Sequence, residues 1–202
     1  MPDMKDKVII CAALAGAFTM KHQNHAVPYT PKEFADEAAK CYAAGAAMVH
    51  VHARDDEGMP THEIGRIRAT HDAIKEKTPE LIVNLSSAVG VGRKPEDRIN
   101  QILAVRPAMA SLNTNTMNFS TVDRNTGEIV VDAVFENTFT MLRDFGKAME
   151  GLDIKPEIEC YDMGGIDNTL RIAKQGFFSC PMNFNFVWGV TGGQLHHLRC
   201  GP

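Results

Sequence analysis

Ala46-Ala47-Met48-Val49-His50-Val51-His52-Ala53-Arg54 is an apolar run broken only by two histidines and closed by an arginine. Gly45 precedes it and Asp55-Asp56-Glu57-Gly58 follows. The run reads as a short buried strand. Side chains alternate along a strand, so His50 and His52 share one face and Val49 and Val51 the other. The two histidine Cα atoms then lie about 7 Å apart, near enough for both imidazoles to reach one divalent cation. Zinc suits such nitrogen donors, with a position left open for substrate. The same pattern also suits two histidines that only hydrogen-bond near a strand end. Arg54-Asp55-Asp56 adds polar groups where the strand leaves the core.

The neighbouring segments repeat one theme. Lys7 and the unbroken apolar stretch 8–14 behind it predict a fully buried first strand, followed by the small-residue turn Ala15-Gly16-Ala17. Thr30-Pro31-Lys32-Glu33 predicts a helix start, with Thr30 as N-cap, Pro31 at the first helical position and Glu33 as the capping-box acid. Phe34, Ala38, Cys41 and Tyr42 continue it at helical spacing, and Gly45 ends it before the histidine strand. Further helices are expected at 64–77, from 94 to about 106, at 135–149 and at 166–174. Strands are expected at 81–85, 109–113, 156–161 and 182–188. Asn125-Thr126-Gly127 marks a turn between short extended pieces in a longer insert. There is no linker, so residues 1–202 read as one domain.

Six buried strands alternating with helices predict a parallel sheet, either open and doubly wound or closed into a barrel. No Gly-x-Gly-x-x-Gly follows the first strand, which weighs against a dinucleotide fold. Polar residues gather at the strand C-terminal ends: His50, His52, Ser86, Asn113, Glu159, Tyr161 and Trp188. A barrel aims such ends at one mouth. A barrel typically needs about 250 residues, so 202 residues suggest an incomplete one.

Composition narrows the function classes. The net charge of −4, with no Lys/Arg stripe, argues against nucleic acid or an anionic membrane as partner. No apolar run is long enough to span a bilayer. The apolar run at 8–18 fits a core strand better than a signal peptide. Five cysteines scattered singly, without a CxxC pair, suit reduced thiols and a cytoplasmic location.

Val49-His50-Val51-His52-Ala53-Arg54 with Gly58-Met59-Pro60 resembles the β-keto acid cleavage enzyme family. Supporting stretches are Ala15-Gly16-Ala17, Asn84-Leu85-Ser86-Ser87, Met109-Ala110-Ser111-Leu112-Asn113, Pro156-Glu157-Ile158-Glu159-Cys160-Tyr161-Asp162 and Phe186-Val187-Trp188-Gly189. The likeness runs collinearly from about residue 8 to 193. It implies a TIM barrel holding one zinc, and transfer of an acyl group between a small β-keto acid and acetyl-CoA, giving acetoacetate and a new acyl-CoA. It implies His50 and His52 as zinc ligands and Ser86 as a contact to the substrate carboxylate. Ser111 takes the position of the family's strand-four hydroxyl residue. Ser87 and Asn113 are of a size to help orient a small keto acid. Glu157 and Glu159 lie two apart on one strand and so share a face; at least one should stand near the metal, with Glu159 a catalytic candidate. The alternative is a packed polar layer satisfied by other side chains. The resemblance also implies assembly into homo-oligomers and a role like that of lysine-fermentation enzymes.

Two departures bear on this expectation. Phe18 stands where the family's type member has a glutamate after the first-strand turn. The family's third zinc ligand is a glutamate in a late Arg-x-Gly-x-Glu-Asp stretch that a catalytic arginine opens. Arg199-Cys200-Gly201 resembles the first three positions and is followed by Pro202. It comes directly after Thr191-Gly192-Gly193, where the family carries its seventh and eighth strands. The expectation is therefore a barrel lacking its last strands, with Arg199 in the arginine position and activity open to impairment; His196 or His197 could substitute as a donor, although terminal histidines are more often solvated. A metal-dependent aldolase or isomerase on the same barrel, or a non-catalytic barrel fragment, are the competing readings.

Overall fold

The structure is a computed structural model that describes residues 7–194 apart from 89, 91, 124 and 179. The strands are β1 (Cys11–Ala15), β2 (Met48–Val51), β3 (Ile82–Leu85), β4 (Met109–Asn113), β5 (Met117–Val122), β6 (Ile129–Phe135), β7 (Lys155–Cys160) and β8 (Asn183–Phe186). The helices are α1 (Pro31–Ala43), α2 (Ile64–Lys77), α3 (Pro95–Val105), α4 (Phe139–Glu150) and α5 (Met163–Ala173). Six strands form one parallel sheet in the order β1-β2-β3-β4-β7-β8. The order follows the chain without reversal. A doubly wound sheet reverses at a switch point, so the barrel alternative is the one realised. Consecutive helices pack on one another, α1 on α2, α2 on α3, α3 on α4 and α4 on α5, all on the same side of the sheet. The result is an incomplete β/α barrel whose interior face is open.

The core lies between sheet and helices. Phe34 and Ala38 of α1, Ile67 and Ile74 of α2 and Ile102 of α3 meet Val49, Val51, Val83 and Leu85 from the strands. A second cluster joins Leu112 to Met141, Leu142, Phe145 and Ile172. Val49 and Val51 are wholly buried against the helices, which turns His50 to the opposite face as the alternation requires.

Three expectations are corrected. Residues 7–14 are not a fully buried strand: β1 begins at Cys11, and Val8, Ile9 and Ile10 are exposed, Val8 to 85%. The reason is position, because β1 is an edge of the sheet among the described residues and its inner side faces the open cleft. The helix expected from 135 begins at Phe139 instead, because Phe135 pairs with Met117 in the β5–β6 hairpin and the Thr138 hydroxyl accepts the Met141 N–H as the helix cap. The last strand stops at Phe186, and Trp188 is exposed.

The start of α1 is as expected. The Thr30 hydroxyl accepts the Glu33 N–H while the Glu33 carboxylate accepts the N–H groups of Thr30 and Tyr29, and Lys21 pairs with Glu33 at 2.5 Å. Burial opposes the Glu33 charge, but Lys21 and the two N–H groups outweigh it and bring the carboxyl from its ordinary 4.5 down to about 2. A carboxyl lowered on folding stabilises above its unfolded value and loses that contribution as pH falls toward the folded one. The destabilisation caused by Glu33→Gln should therefore be constant above about pH 5 and vanish toward pH 2, at about 1 kcal/mol or less for this part-exposed group. Denaturant titrations of both proteins across that range check it; a pH-independent difference would contradict it.

Candidate metal centre and active-site cleft

The open interior of the sheet is a cleft of about 1110 Å³. His50 from β2, His52 just beyond it, Ser86 after β3, and Glu157 and Glu159 from β7 line its polar part. The Nε2 atoms of His50 and His52 are 3.2 Å apart, with ring centroids 5.0 Å apart and planes at 57°. Two nitrogens bound at about 2.0–2.1 Å to a tetrahedral zinc sit roughly 3.3 Å apart, so the pair has the bite of a metal-binding pair. The same separation also suits one ring N–H donating to the other ring.

The opposite nitrogen of His50 decides its tautomer. His50 Nδ1 lies 3.4 Å from Glu157 Oε2. Asn84 Nδ2, 3.2 Å from the same ring nitrogen, also donates to that carboxylate oxygen. With Nδ1–H pointing at Glu157, the Nε2 lone pair is free to bind a cation, the usual arrangement behind a ligating histidine. Burial opposes a charge on His50, but Glu157 and Glu159 outweigh it and raise its pKa. His52 goes the other way. Burial, then the neighbouring His50 and Arg54, push it down to about 3, which keeps it neutral and able to ligate.

One ligand atom each from His50, Glu157 and Glu159 lies within 4.8 Å of the other two. Both glutamates are buried on this face. Burial opposes the Glu157 charge, but His50 and the Asn84 amide hold that carboxyl below its ordinary range. Burial, reinforced by the charge of Glu157 and opposed by His50, raises Glu159 to about 7. Two imidazole nitrogens at this spacing fit zinc, while the carboxylate group gathers around His50 and does not include His52.

The hydroxyl and amide residues are also brought together, at two depths. Ser86 lines the cleft, where its Oγ accepts the Ala88 N–H. Ser87, Ser111 and Asn113 form a buried network on the same side. The Ser87 N–H donates to Ser111 Oγ at 2.9 Å, and Asn113 Nδ2 donates to Ser87 Oγ at 3.3 Å. The Tyr161 hydroxyl donates to Asn113 Oδ1 at 2.9 Å and stands 3.5 Å from Glu159 Oε2. Arg199, His196 and His197 lie outside the described residues.

Four contributors carry no clear signal in the sequence. Asn84 sits mid-strand, where its amide reads as part of a buried run. Arg98 sits on α3, where a charged residue reads as solvated. It is instead buried, with Nε donating to Ser87 O, Nη1 to Glu136 O and Nη2 to Asn137 Oδ1, and its guanidinium 5.0 Å from the Phe135 ring centroid. Phe119 and Phe135 belong to the hairpin, and both line the cleft.

Comparison with known proteins bears on the family and the fold. A model of the beta-keto acid cleavage enzyme family matches residues 7–199. The chain is 42% identical over 187 residues to the 3-keto-5-aminohexanoate cleavage enzyme of Fusobacterium nucleatum, covering 93% of this chain and 65% of that one. It is 30% identical over 216 residues to the 3-dehydrocarnitine:acetyl-CoA trimethylamine transferase of Rhizobium meliloti, covering 97% of this chain and 69% of that one. The chain thus spans about two thirds of the length of these curated relatives. The binary complex of ObcA with oxaloacetate superposes with a TM-score of 0.64 at 24% identity, covering 81% of this chain and 37% of that one, which supports the fold. By the extent of the family match and the identity to its curated members, this chain belongs to the beta-keto acid cleavage enzyme family.

Proposed function

We propose that the chain carries the zinc-binding, substrate-activating part of a β-keto acid cleavage enzyme that works with acetyl-CoA. The CH2COO⁻ unit leaves the acyl group of a β-keto acid and joins the acetyl group, while CoA passes to the released acyl group. The products are acetoacetate and a new acyl-CoA, so no oxidant or water is consumed. The observation that carries this reading is the 3.2 Å separation of two histidine Nε2 atoms at the floor of a cleft that also holds two glutamates.

His50 and His52 would hold the ion, with Glu159 on the same polar side of the cleft. When bound, zinc supplies Lewis-acid polarisation of the keto and carboxylate oxygens. Glu157 keeps the His50 ring oriented through Nδ1. Glu159, buried on the cleft side of β7, is the carboxylate suited to take a proton from the carbon between keto and carboxylate groups. Ser86, on the cleft surface, is placed to donate to the substrate carboxylate. Ser111, with Ser87 and Asn113, holds that serine loop and the Tyr161 hydroxyl in place from beneath. Arg199 keeps the role of the catalytic arginine that the resemblance assigns. Exposed apolar residues beside β1 and on β8 support assembly of several copies, and use of an intracellular thioester supports a cytoplasmic location.

The purified chain should retain close to one zinc per chain after dialysis, measured by elemental mass spectrometry. His50→Ala and His52→Ala should each lose it, and Glu157→Gln should keep it with about 10–100-fold weaker affinity. Zinc at the wild-type level in either histidine variant refutes the ligand assignment. In a second assay, β-keto acids incubated with the chain should release acetoacetate only when acetyl-CoA is present, with an equal amount of new acyl-CoA. Glu159→Gln should slow release by roughly 10²–10⁴-fold. Cleavage that proceeds without acetyl-CoA would point to aldolase chemistry instead, and no release from any acid would contradict the proposal.

A further inference from the structure

We propose that Arg93 and Lys94, at the entrance to α3, anchor the phosphate groups of coenzyme A at the rim of the cleft. The inference rests on the acetyl-CoA reading above and names where the far end of that co-substrate binds. Coenzyme A carries its acyl group at one end, and a diphosphate and a ribose phosphate at the other. A cleft that works on the thioester therefore needs a second, basic place for the phosphates.

The chain has a net charge of −4, yet three cations, Arg93, Lys94 and Arg98, fall close together and all line the cleft that holds His50 and Ser86. Arg93 and Lys94 are exposed, and among the described residues neither side chain has an ion-pair or hydrogen-bond partner. By contrast Lys32, Lys40 and Arg171 are each paired with an acid on their own helix. Arg98 is 4% exposed and donates to two carbonyl oxygens and the Asn137 amide oxygen, so it gives no hydrogen bond to a carboxylate. Cations of one sign along a low-dielectric wall focus their field into the cleft. Glu96 and Asp97 sit in the first turn of α3 but do not line the cleft, because Lys94, Pro95 and Arg98 occupy that side of the helix at spacings of three and four residues. Glu136, just past β6, does line it, and leaves the cations in excess.

The place of the pair in the loop suits a ligand that enters from the rim. Ser86 and Ser87, at the inner end, are buried, whereas Gly92, Arg93 and Lys94, at the outer end, are exposed. Gly90 and Gly92 line the cleft between the two ends, and nothing stands within 4 Å of where a side chain on Gly92 would begin. One loop thus offers Ser86 to the keto acid at the floor and two cations to phosphates at the rim, with room for the pantetheine arm between them. Arginine supplies a planar fork that matches phosphate oxygens, and lysine a mobile point charge. Lys94 is also the N-cap of α3 and makes no side-chain cap hydrogen bond, so the partial positive charge of the first turn adds to theirs. Both cations meet water, so each contact is modest and sensitive to salt.

Calorimetric titration of the purified chain with coenzyme A, and with pantetheine, which lacks the phosphates, tests this. Coenzyme A should bind at least about tenfold tighter, and its advantage should shrink as salt rises. The double variant Arg93→Gln with Lys94→Gln should lose about tenfold in affinity for coenzyme A and nothing for pantetheine. Lys147→Gln, an equal loss of exposed charge on α4 outside the cleft, should bind both as the wild type does. Coenzyme A that binds no better than pantetheine, or not at all, overturns the inference. So does an affinity for coenzyme A that the double variant leaves unchanged while 3-oxoadipate binds more weakly, since the cations then serve a carboxylate of the keto acid, or one that Lys147→Gln lowers equally. Failure of the underlying reaction reads differently. If coenzyme A binds as expected and acetoacetate never forms, the phosphate anchor stands and the reaction does not. If acetoacetate forms equally well from acetyl-CoA and acetyl-pantetheine, the reaction stands and the anchor does not.

Discussion

The arrangement depends on the alternation of four residues in β2. Val49 and Val51 are driven into the helix-facing core, and their burial leaves His50 no orientation but the interior of the curved sheet. His52 follows one residue past the strand, with its ring beside that of His50. Pairing on both sides locks this register: His50 aligns with Ala13 of β1 and with Asn84 of β3. A slip of one residue would bury two imidazoles among Phe34, Ile67 and Ile74 and present valines to the cleft. The hydrophobic core thus orients the polar site, and the chemistry follows from packing two layers away.

Around this strand, buried arginines hold what the sheet does not. Arg54 joins the β1 loop to the turn at Gly58, and Arg98 joins the β3 loop to the end of the β5–β6 hairpin. Both donate mainly to carbonyl oxygens rather than carboxylates, so their charge is solvated by fixed backbone dipoles. Burial correspondingly lowers the Arg98 pKa to about 10. Loops fixed this way can carry side chains such as Phe18 to set positions over the cleft. Glu157 of β7 is satisfied across the interior of the sheet by Asn84 of β3 and His50 of β2, and Glu159 by Tyr161 just past its own strand.

Much of this is legible in the sequence because it obeys local rules. The capping box at Thr30 and Glu33, the β/α alternation and the shared face of His50 and His52 each follow from spacing within a few residues. The same period of two puts Glu157 and Glu159 on one face, and both reach the cleft. The features that local spacing misses depend on distant partners. The exposure of Val8 to Ile10 reflects an edge position that no local pattern encodes. The hairpin keeps Phe135 out of α4 because its partner is Met117, eighteen residues earlier in the chain. Arg98 reads as a solvated helix charge because its acceptors, Ser87 and Glu136, come from two other segments.

The proposed chemistry requires the His50 and His52 Nε2 atoms to converge on one cation at the mouth of the sheet. Diffraction from zinc-soaked crystals, recorded on both sides of the zinc absorption edge, locates that cation without reference to activity. One strong anomalous peak should appear between the two rings, about 2.0–2.1 Å from each Nε2 atom, with a β7 carboxylate oxygen nearby. A peak elsewhere on the chain, or two rings joined only by a hydrogen bond while zinc is in excess, would contradict the metal assignment.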